Sequence, residues 1–205
     1  MTKKGIIFDL DGVICFTDEY HYLAWKEMAD GMGVYFDREI NNRLRGVSRM
    51  ASLEIILERY TGPALTNGEK EALATKKNDI YRKLLSRMSP ADLSDDVKTT
   101  LDALRAKGLK LAIGSSSKNT QQILKQLGLG DFFDAIADGT MITKSKPDPE
   151  VFLLAASMLG VSPENAIVIE DAESGVRAAK AGRFRAIGIR TDGNDPDSDI
   201  TIKKL

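Results

Sequence analysis

Ile6-Ile7-Phe8-Asp9-Leu10-Asp11-Gly12 is the stretch on which the reading of this chain turns. An apolar run long enough for a buried strand ends abruptly in two carboxylates spaced by one residue. Buried strands of parallel sheets read as continuous apolar runs, and open α/β sheets place their sites outside the carboxyl ends of strands. On an extended backbone, alternate side chains point the same way, so Asp9 and Asp11 are expected to face one crevice. Gly12 lets the chain turn sharply and approach a ligand closely. Ionised carboxylates this close repel each other, and a divalent cation is the commonest reason to hold them together. Taken alone, such a pair is as readily a turn-forming Asx motif or a surface loop.

Downstream, residues 18–88 lack a convincing strand and read as helices. Glu19 to Met32 carries Leu23, Met28 and Met32, with Gly33 as its stop. Ser48 is the expected N-cap of a helix from Arg49 to Tyr60, and Thr66-Asn67-Gly68 opens another that runs to Met88. From Asp92 onward helices and strands alternate. Helices are expected over Asp95–Lys107, Asn119–Leu127, Pro149–Leu159 and Ser174–Ala181, and strands over Leu109–Ile113, Ala135–Ala137, Ala166–Ile169 and Ala186–Ile189. That alternation is the mark of parallel βαβ units. The expected fold is therefore a doubly wound, mostly parallel α/β sheet, a Rossmann-like core over residues 1–15 and 90–205. An α-helical cap domain over 16–89 interrupts it, with connections near Cys15–Thr17 and Ser89–Asp92 acting as a hinge.

Three of the strands end in polar residues of complementary chemistry. The first ends in Asp9 and Asp11, the second in Gly114-Ser115-Ser116-Ser117-Lys118-Asn119, and Ala166–Ile169 in Glu170-Asp171. Lys144-Ser145-Lys146-Pro147-Asp148-Pro149 lies between the last two. If these strands are neighbours, four carboxylates meet a serine cluster and a lysine at one edge. Hard oxygen ligands suit Mg²⁺, and a serine hydroxyl, backbone N–H groups and a lysine suit a phosphate. With an exposed carboxylate as nucleophile, the set points to phosphoryl transfer through an aspartyl-phosphate. Each piece alone has a plainer reading: a helix cap at Asn119, a solvated loop at Glu170-Asp171, a surface lysine at Lys146. Their joint occurrence, each after its own strand, is what argues for a site.

Composition narrows the classes. A net charge of −1 over 205 residues provides no long-range field for nucleic acid or anionic lipid. Cys15 is the single cysteine, so no intrachain disulfide forms, which fits a reducing compartment. Met1-Thr2-Lys3-Lys4 runs straight into a strand, leaving no room for a signal peptide, and no apolar stretch is long enough to span a bilayer. A soluble, cytoplasmic, monomeric protein acting on a small molecule is expected.

The four motifs resemble those of the haloacid dehalogenase superfamily of phosphotransferases: Asp9-Leu10-Asp11-Gly12-Val13, Ser115, Lys146 before Pro147, and Glu170-Asp171. Within it, Glu19-Tyr20-His21-Tyr22-Leu23-Ala24-Trp25, Arg45-Gly46-Val47-Ser48-Arg49, Lys77-Asn78-Asp79 and Ser115–Asn119 resemble the branch that interconverts β-glucose 1-phosphate and glucose 6-phosphate. The resemblance implies Asp9 as the nucleophile and Asp11 as general acid and base. It implies Mg²⁺ on Asp9, the Asp11 backbone carbonyl, Glu170 and Asp171, and the transferring phosphate on Ser115, Ser116 and Lys146. His21, Trp25, Gly46, Val47, Arg49, Lys77, Ser117, Lys118 and Asn119 would bind the hexose phosphate.

A mutase that passes through a bisphosphate needs a second anion site, and the resemblance implies Arg49 with Ser117, Lys118 and Asn119 as the clamp when the cap closes, whereas taken alone Arg49 reads as a first-turn surface residue. A sugar-phosphate phosphatase is the alternative on the same fold, and a silent sugar-phosphate binding module a third. Phe16 departs from the pattern, since most relatives carry an acidic residue at that hinge position. Relatives also continue into a final helix beyond the point at which Ile200-Thr201-Ile202 stands here.

Overall fold

Residues 5 to 8 are buried without interruption, which is why Gly-Ile-Ile-Phe forms the central strand of a sheet covered on both faces. The computed structural model describes residues 4–44, 48–190 and 196–205. In chain order its elements are β1 (Gly5–Phe8), α1 (Asp18–Asp30), α2 (Arg38–Asn42), α3 (Arg49–Leu57), α4 (Asn67–Leu85), α5 (Asp95–Ala106), β2 (Lys110–Gly114), α6 (Thr120–Gln126), β3 (Ala135–Ala137), α7 (Glu150–Leu159), β4 (Ala166–Glu170), α8 (Glu173–Ala181), β5 (Arg185–Ile189) and β6 (Ile200–Ile202). The chain divides into two compact units, Met1–Phe16 with Met88–Leu205, and Thr17–Arg87.

In the first unit the six strands are all parallel, in the order β3-β2-β1-β4-β5-β6. The order reverses between β1 and β4, the place where doubly wound sheets open a crevice at their carboxyl ends. Register levels the strand tips there: Phe8 pairs with Ile113 on one side and Ile169 on the other. Asp9 and Glu170 thus leave the sheet side by side, and the Asp9 amide donates to Ile169 O at 2.9 Å.

Helix α7 lies across β1, β2 and β3, and α8 across β4 and β5. Ile7, Ala112, Val151, Phe152, Ala155, Val168, Val176 and Ala186 belong to the resulting apolar core. The second unit is a helical layer in which α1 packs on α4, with Trp25, Met28, Leu53, Ile56, Tyr81 and Leu85 buried. Thr66 opens α4 with a capping box: its hydroxyl accepts from the Glu69 amide, and its amide donates to Glu69 Oε2 at 2.8 Å.

Three helices end earlier than their apolar periodicity suggests. The segments at Met32, Tyr60 and Arg87 close with i→i−3 bonds to Ala29, Leu57 and Leu84 in place of another α turn. Helix α2 and strand β6 are additions to the expected elements. No helix among the described residues is long and apolar enough to cross a membrane.

Candidate active site

The tip of β1 carries Asp9, which is nine-tenths buried, and the chain then folds back on itself. The Ile14 and Cys15 amides both donate to Leu10 O, and the Gly12 amide donates to Cys15 O at 2.7 Å. Gly12 takes φ +83° in this loop, a conformation that penalises any side chain. Strand β4 delivers Glu170, 1% exposed, whose Oε2 accepts from the Ala172 amide at 2.7 Å. Lys146 enters from the loop before α7, through a cis peptide to Pro147. Its Nζ donates to Asp9 Oδ1 at 2.5 Å and to Glu170 Oε1 at 2.6 Å. The same ammonium stands 4.5 Å from the centroid of the buried Phe152 ring. Asp171 completes the group: oxygens of Asp9, Glu170 and Asp171 all lie within 4.8 Å of one another.

Burial drives the Asp9 pKa well above the usual carboxylate range, Lys146 opposes it, and Glu170 and Asp171 add to the rise. Asp171 is pushed up to about 7, by burial first and then by Glu170. Burial works to lower the Lys146 pKa, but Asp9 and Glu170 outweigh it and hold the ammonium charged. Among the described residues one ammonium faces three carboxyl groups, whose crowding adds to the rise at Asp9 and Asp171 and would be relieved by a further cation. The donors of this cluster are hard oxygens from three carboxylates, the chemistry that a divalent cation such as Mg²⁺ takes. The residues present therefore fit a metal ion.

The loop after β2 supplies hydroxyls. Ser115 is buried, its amide donates to Ala137 O at 3.0 Å, and its Oγ accepts from the Ser117 amide at 3.2 Å. Ser117 Oγ in turn accepts from the Asn119 amide. Ser116 Oγ is buried and, among the described residues, has no hydrogen-bond partner. Lys118 is exposed and Asn119 is buried at the start of α6.

The helical unit gathers its own polar cluster. His21 and Trp25 stand one turn apart on α1, and Lys77 and Tyr81 one turn apart on α4. Lys77 is 3% exposed, and its Nζ lies 2.8 Å from His21 Nδ1, 4.8 Å from the Trp25 ring centre and 4.7 Å from that of Tyr81. His21 stacks on Tyr81 at 4.1 Å, and Tyr81 donates to Thr17 Oγ1 at 2.9 Å. Arg49, half-buried, donates to Asn78 Oδ1 at 3.0 Å. Burial, then Lys77 and Arg49, hold the His21 pKa well below its ordinary value. An ammonium has no acceptor, so His21 Nδ1 accepts from Lys77 and the neutral ring carries its proton on Nε2.

The structure thus brings Asp9, Glu170, Asp171 and Lys146 together in one unit and His21, Trp25 and Lys77 together in the other, with Arg49 on Asn78. Asp11 is half-buried in the loop after β1, and Gly46 and Val47 lie outside the described residues. Thr17, Asn78, Tyr81 and Phe152 join these clusters without having been expected there. The i,i+4 spacing of Lys77 and Tyr81, matching that of His21 and Trp25, was the available signal for Tyr81.

Comparison with known proteins agrees with this geometry. Residues 3–183 match a family model described as a haloacid dehalogenase-like hydrolase. A β-phosphoglucomutase of Bacillus subtilis is 46% identical over 204 residues, covering 98% of this chain and 89% of its own length. A phosphorylated carbohydrates phosphatase of Thermotoga maritima is 30% identical over 94% of this chain and 88% of its own. The crystal structure of a β-phosphoglucomutase from Clostridium difficile superposes with a TM-score of 0.88 at 35% identity, covering 100% of this chain and 92% of that one. With the family model spanning most of its length and the strand-tip residues in place, the chain belongs to the haloacid dehalogenase-like hydrolase family.

Proposed function

We propose that this chain is a β-phosphoglucomutase, interconverting β-D-glucose 1-phosphate and glucose 6-phosphate through β-glucose 1,6-bisphosphate. The observation that carries the phosphoryl-transfer chemistry is the buried Asp9 carboxylate, fixed by Lys146 beside Glu170 and Asp171. The Asp9 carboxylate attacks phosphorus, the bond from phosphorus to the sugar oxygen breaks, and the Asp11 carboxyl gives that oxygen a proton. In the return step Asp11 takes the proton from the incoming sugar hydroxyl, whose oxygen attacks phosphorus and releases Asp9. Lys146, Ser115 and Ser116 receive the phosphoryl oxygens, and the Ser116 hydroxyl, without a partner among the described residues, is the donor most open to them. Asp9, Glu170, Asp171 and the Asp11 carbonyl would hold Mg²⁺, which when bound offsets negative charge on the carboxylates and the phosphoryl group.

Preference for a mutase over a phosphatase rests on the cationic cluster of the helical unit. Arg49 offers a planar fork suited to a phosphate, while His21, Trp25 and Lys77 offer donors and an aromatic face suited to a sugar. On the α/β unit, Ser117, Lys118 and Asn119 add a hydroxyl, an ammonium and an amide for an anion. The near full-length similarity to the B. subtilis mutase supports the same choice. We further infer a cytoplasmic monomer with Cys15 as a buried, inert thiol, its pKa raised by burial.

A phosphorus NMR time course tests the reading. With β-glucose 1-phosphate, Mg²⁺ and a trace of β-glucose 1,6-bisphosphate, glucose 6-phosphate is expected without inorganic phosphate. Phosphate release that keeps pace with substrate loss would instead select a sugar-phosphate phosphatase, the reading favoured by the similarity to the T. maritima enzyme.

A further inference from the structure

Gly175 occupies the third position of α8, where its amide donates to Ala172 O at 3.0 Å. Its backbone is not among the positive-φ glycines, so the helix itself has no need of glycine there. Glycine is the poorest non-proline choice inside a helix, and a different requirement must hold it. The requirement is spatial. A methyl group at this position would overlap the Glu170 carboxylate, with even its farther oxygen, Oε2, only 2.6 Å away. Gly12 backs the neighbouring carboxylate in the same way, an added carbon there falling 2.8 Å from the farther oxygen of Asp171.

From this we infer that Gly175 is a positioning residue for Glu170. Its missing side chain is what lets α8 pass against the carboxylate and seats it in the one orientation that reaches Lys146, the Ala172 amide and the oxygens of Asp9 and Asp171. The inference rests on the reading of Glu170 as a metal ligand. Overlap with backbone would have to be relieved by moving the helix. Overlap with the tip of a flexible side chain is relieved when the tip turns away. Gly175→Ala should therefore keep the fold and misplace Glu170. Gly12 gives a poorer test, because φ +83° adds backbone strain to any substitution.

The experiment is a double-mutant cycle on the full chain, with Mg²⁺ alone as the probe in titration calorimetry. Gly175→Ala should weaken Mg²⁺ binding about 10–100-fold, the range seen when residues that orient metal ligands are changed. On a Glu170→Asp background the shorter arm no longer meets the added methyl, and the same substitution should cost less than about threefold. Crystals of metal-free Gly175→Ala should show the Glu170 carboxylate turned off Lys146. Unchanged Mg²⁺ affinity, an equal loss in both backgrounds, an unmoved carboxylate, or a variant that fails to fold would each overturn the inference. If the unsubstituted protein binds no Mg²⁺, the metal reading itself fails, and the carboxylate position in the metal-free crystals decides the role of Gly175 by itself.

Discussion

The two units solve opposite electrostatic problems. At the sheet edge, three carboxyl groups crowd together, and their mutual repulsion is met in part by Lys146 lying 2.5 Å from Asp9 and 2.6 Å from Glu170. In the helical unit, the buried Lys77 is met by the neutral His21 nitrogen and by the faces of Trp25 and Tyr81. One surface is prepared for added positive charge and the other for added negative charge. Strand tips suit the first task, since their register places short acidic side chains at one level. Helix faces suit the second, since long cationic and aromatic side chains can meet along a shared stripe.

The comparison breaks most easily at its acidic side. Asp9→Asn should lower turnover roughly 10⁴-fold or more, as loss of a covalent nucleophile does, while a thermal melt shows the fold intact. Lys146→Met leaves Asp9 and Glu170 buried without their cation. Denaturant unfolding of the metal-free protein should show a loss of about 3–5 kcal/mol, part of it recovered when Mg²⁺ is added.

The basic side is sharpened by Arg49→Ala. It should reduce mutase kcat/KM about 10–100-fold, the worth of a charge-assisted phosphate contact. Phosphate release from a small monophosphate should change little in the same variant, and equal loss of both activities would remove the case for a second anion site.

Lys77→Met should raise the His21 pKa, which Lys77 holds down after burial itself, and an imidazole NMR titration reads the change. Because the folded-state pKa is depressed, the unfolded chain binds the proton more readily. Stability therefore falls as pH drops below the unfolded histidine value, about 6.5, and that fall should be shallower in the variant.

A surface pair sets the lower bound on such effects. Asp134 accepts from Arg105 at 2.5 Å and from the Leu111 amide at 2.8 Å, and although partial burial works to raise its pKa, these partners bring it below the usual value. It is more than a third exposed, so Asp134→Asn should cost under about 1 kcal/mol at neutral pH once solvent screening is allowed for. A depressed carboxylate pKa stabilises above the unfolded value and ceases to do so as pH falls through the folded one. The difference in urea midpoint should accordingly vanish in acid.

The acidic half was the more legible in the amino-acid order. Asp9, Glu170 and Asp171 each follow an apolar run, and a run buried on both faces says where its strand stops. Strand β6 was missed because Ile-Thr-Ile is short and half-exposed at a sheet edge, and α2 because its five residues bury only Ile40. The basic half depends on the rotational phase of α1 against α4, which periodicity along either helix does not contain. Tyr81 stacking on His21 is a product of that phase. The seat for Glu170 at Gly175 was hidden for a similar reason: a glycine in a helix reads as a weak helix residue until the neighbouring strand tip is in place.

Phe152 ties turnover to packing. The ring is fully buried in the apolar layer, edge-on to Phe184 at 6.3 Å, and it also forms the floor beneath the Lys146 ammonium. Any drift in that layer, even a conservative swap at position 184 far from solvent, tilts the platform on which the positive charge rests. Selection for a better-filled interior at this spot is therefore also selection on the chemistry above it, and neither can be tuned without disturbing the other.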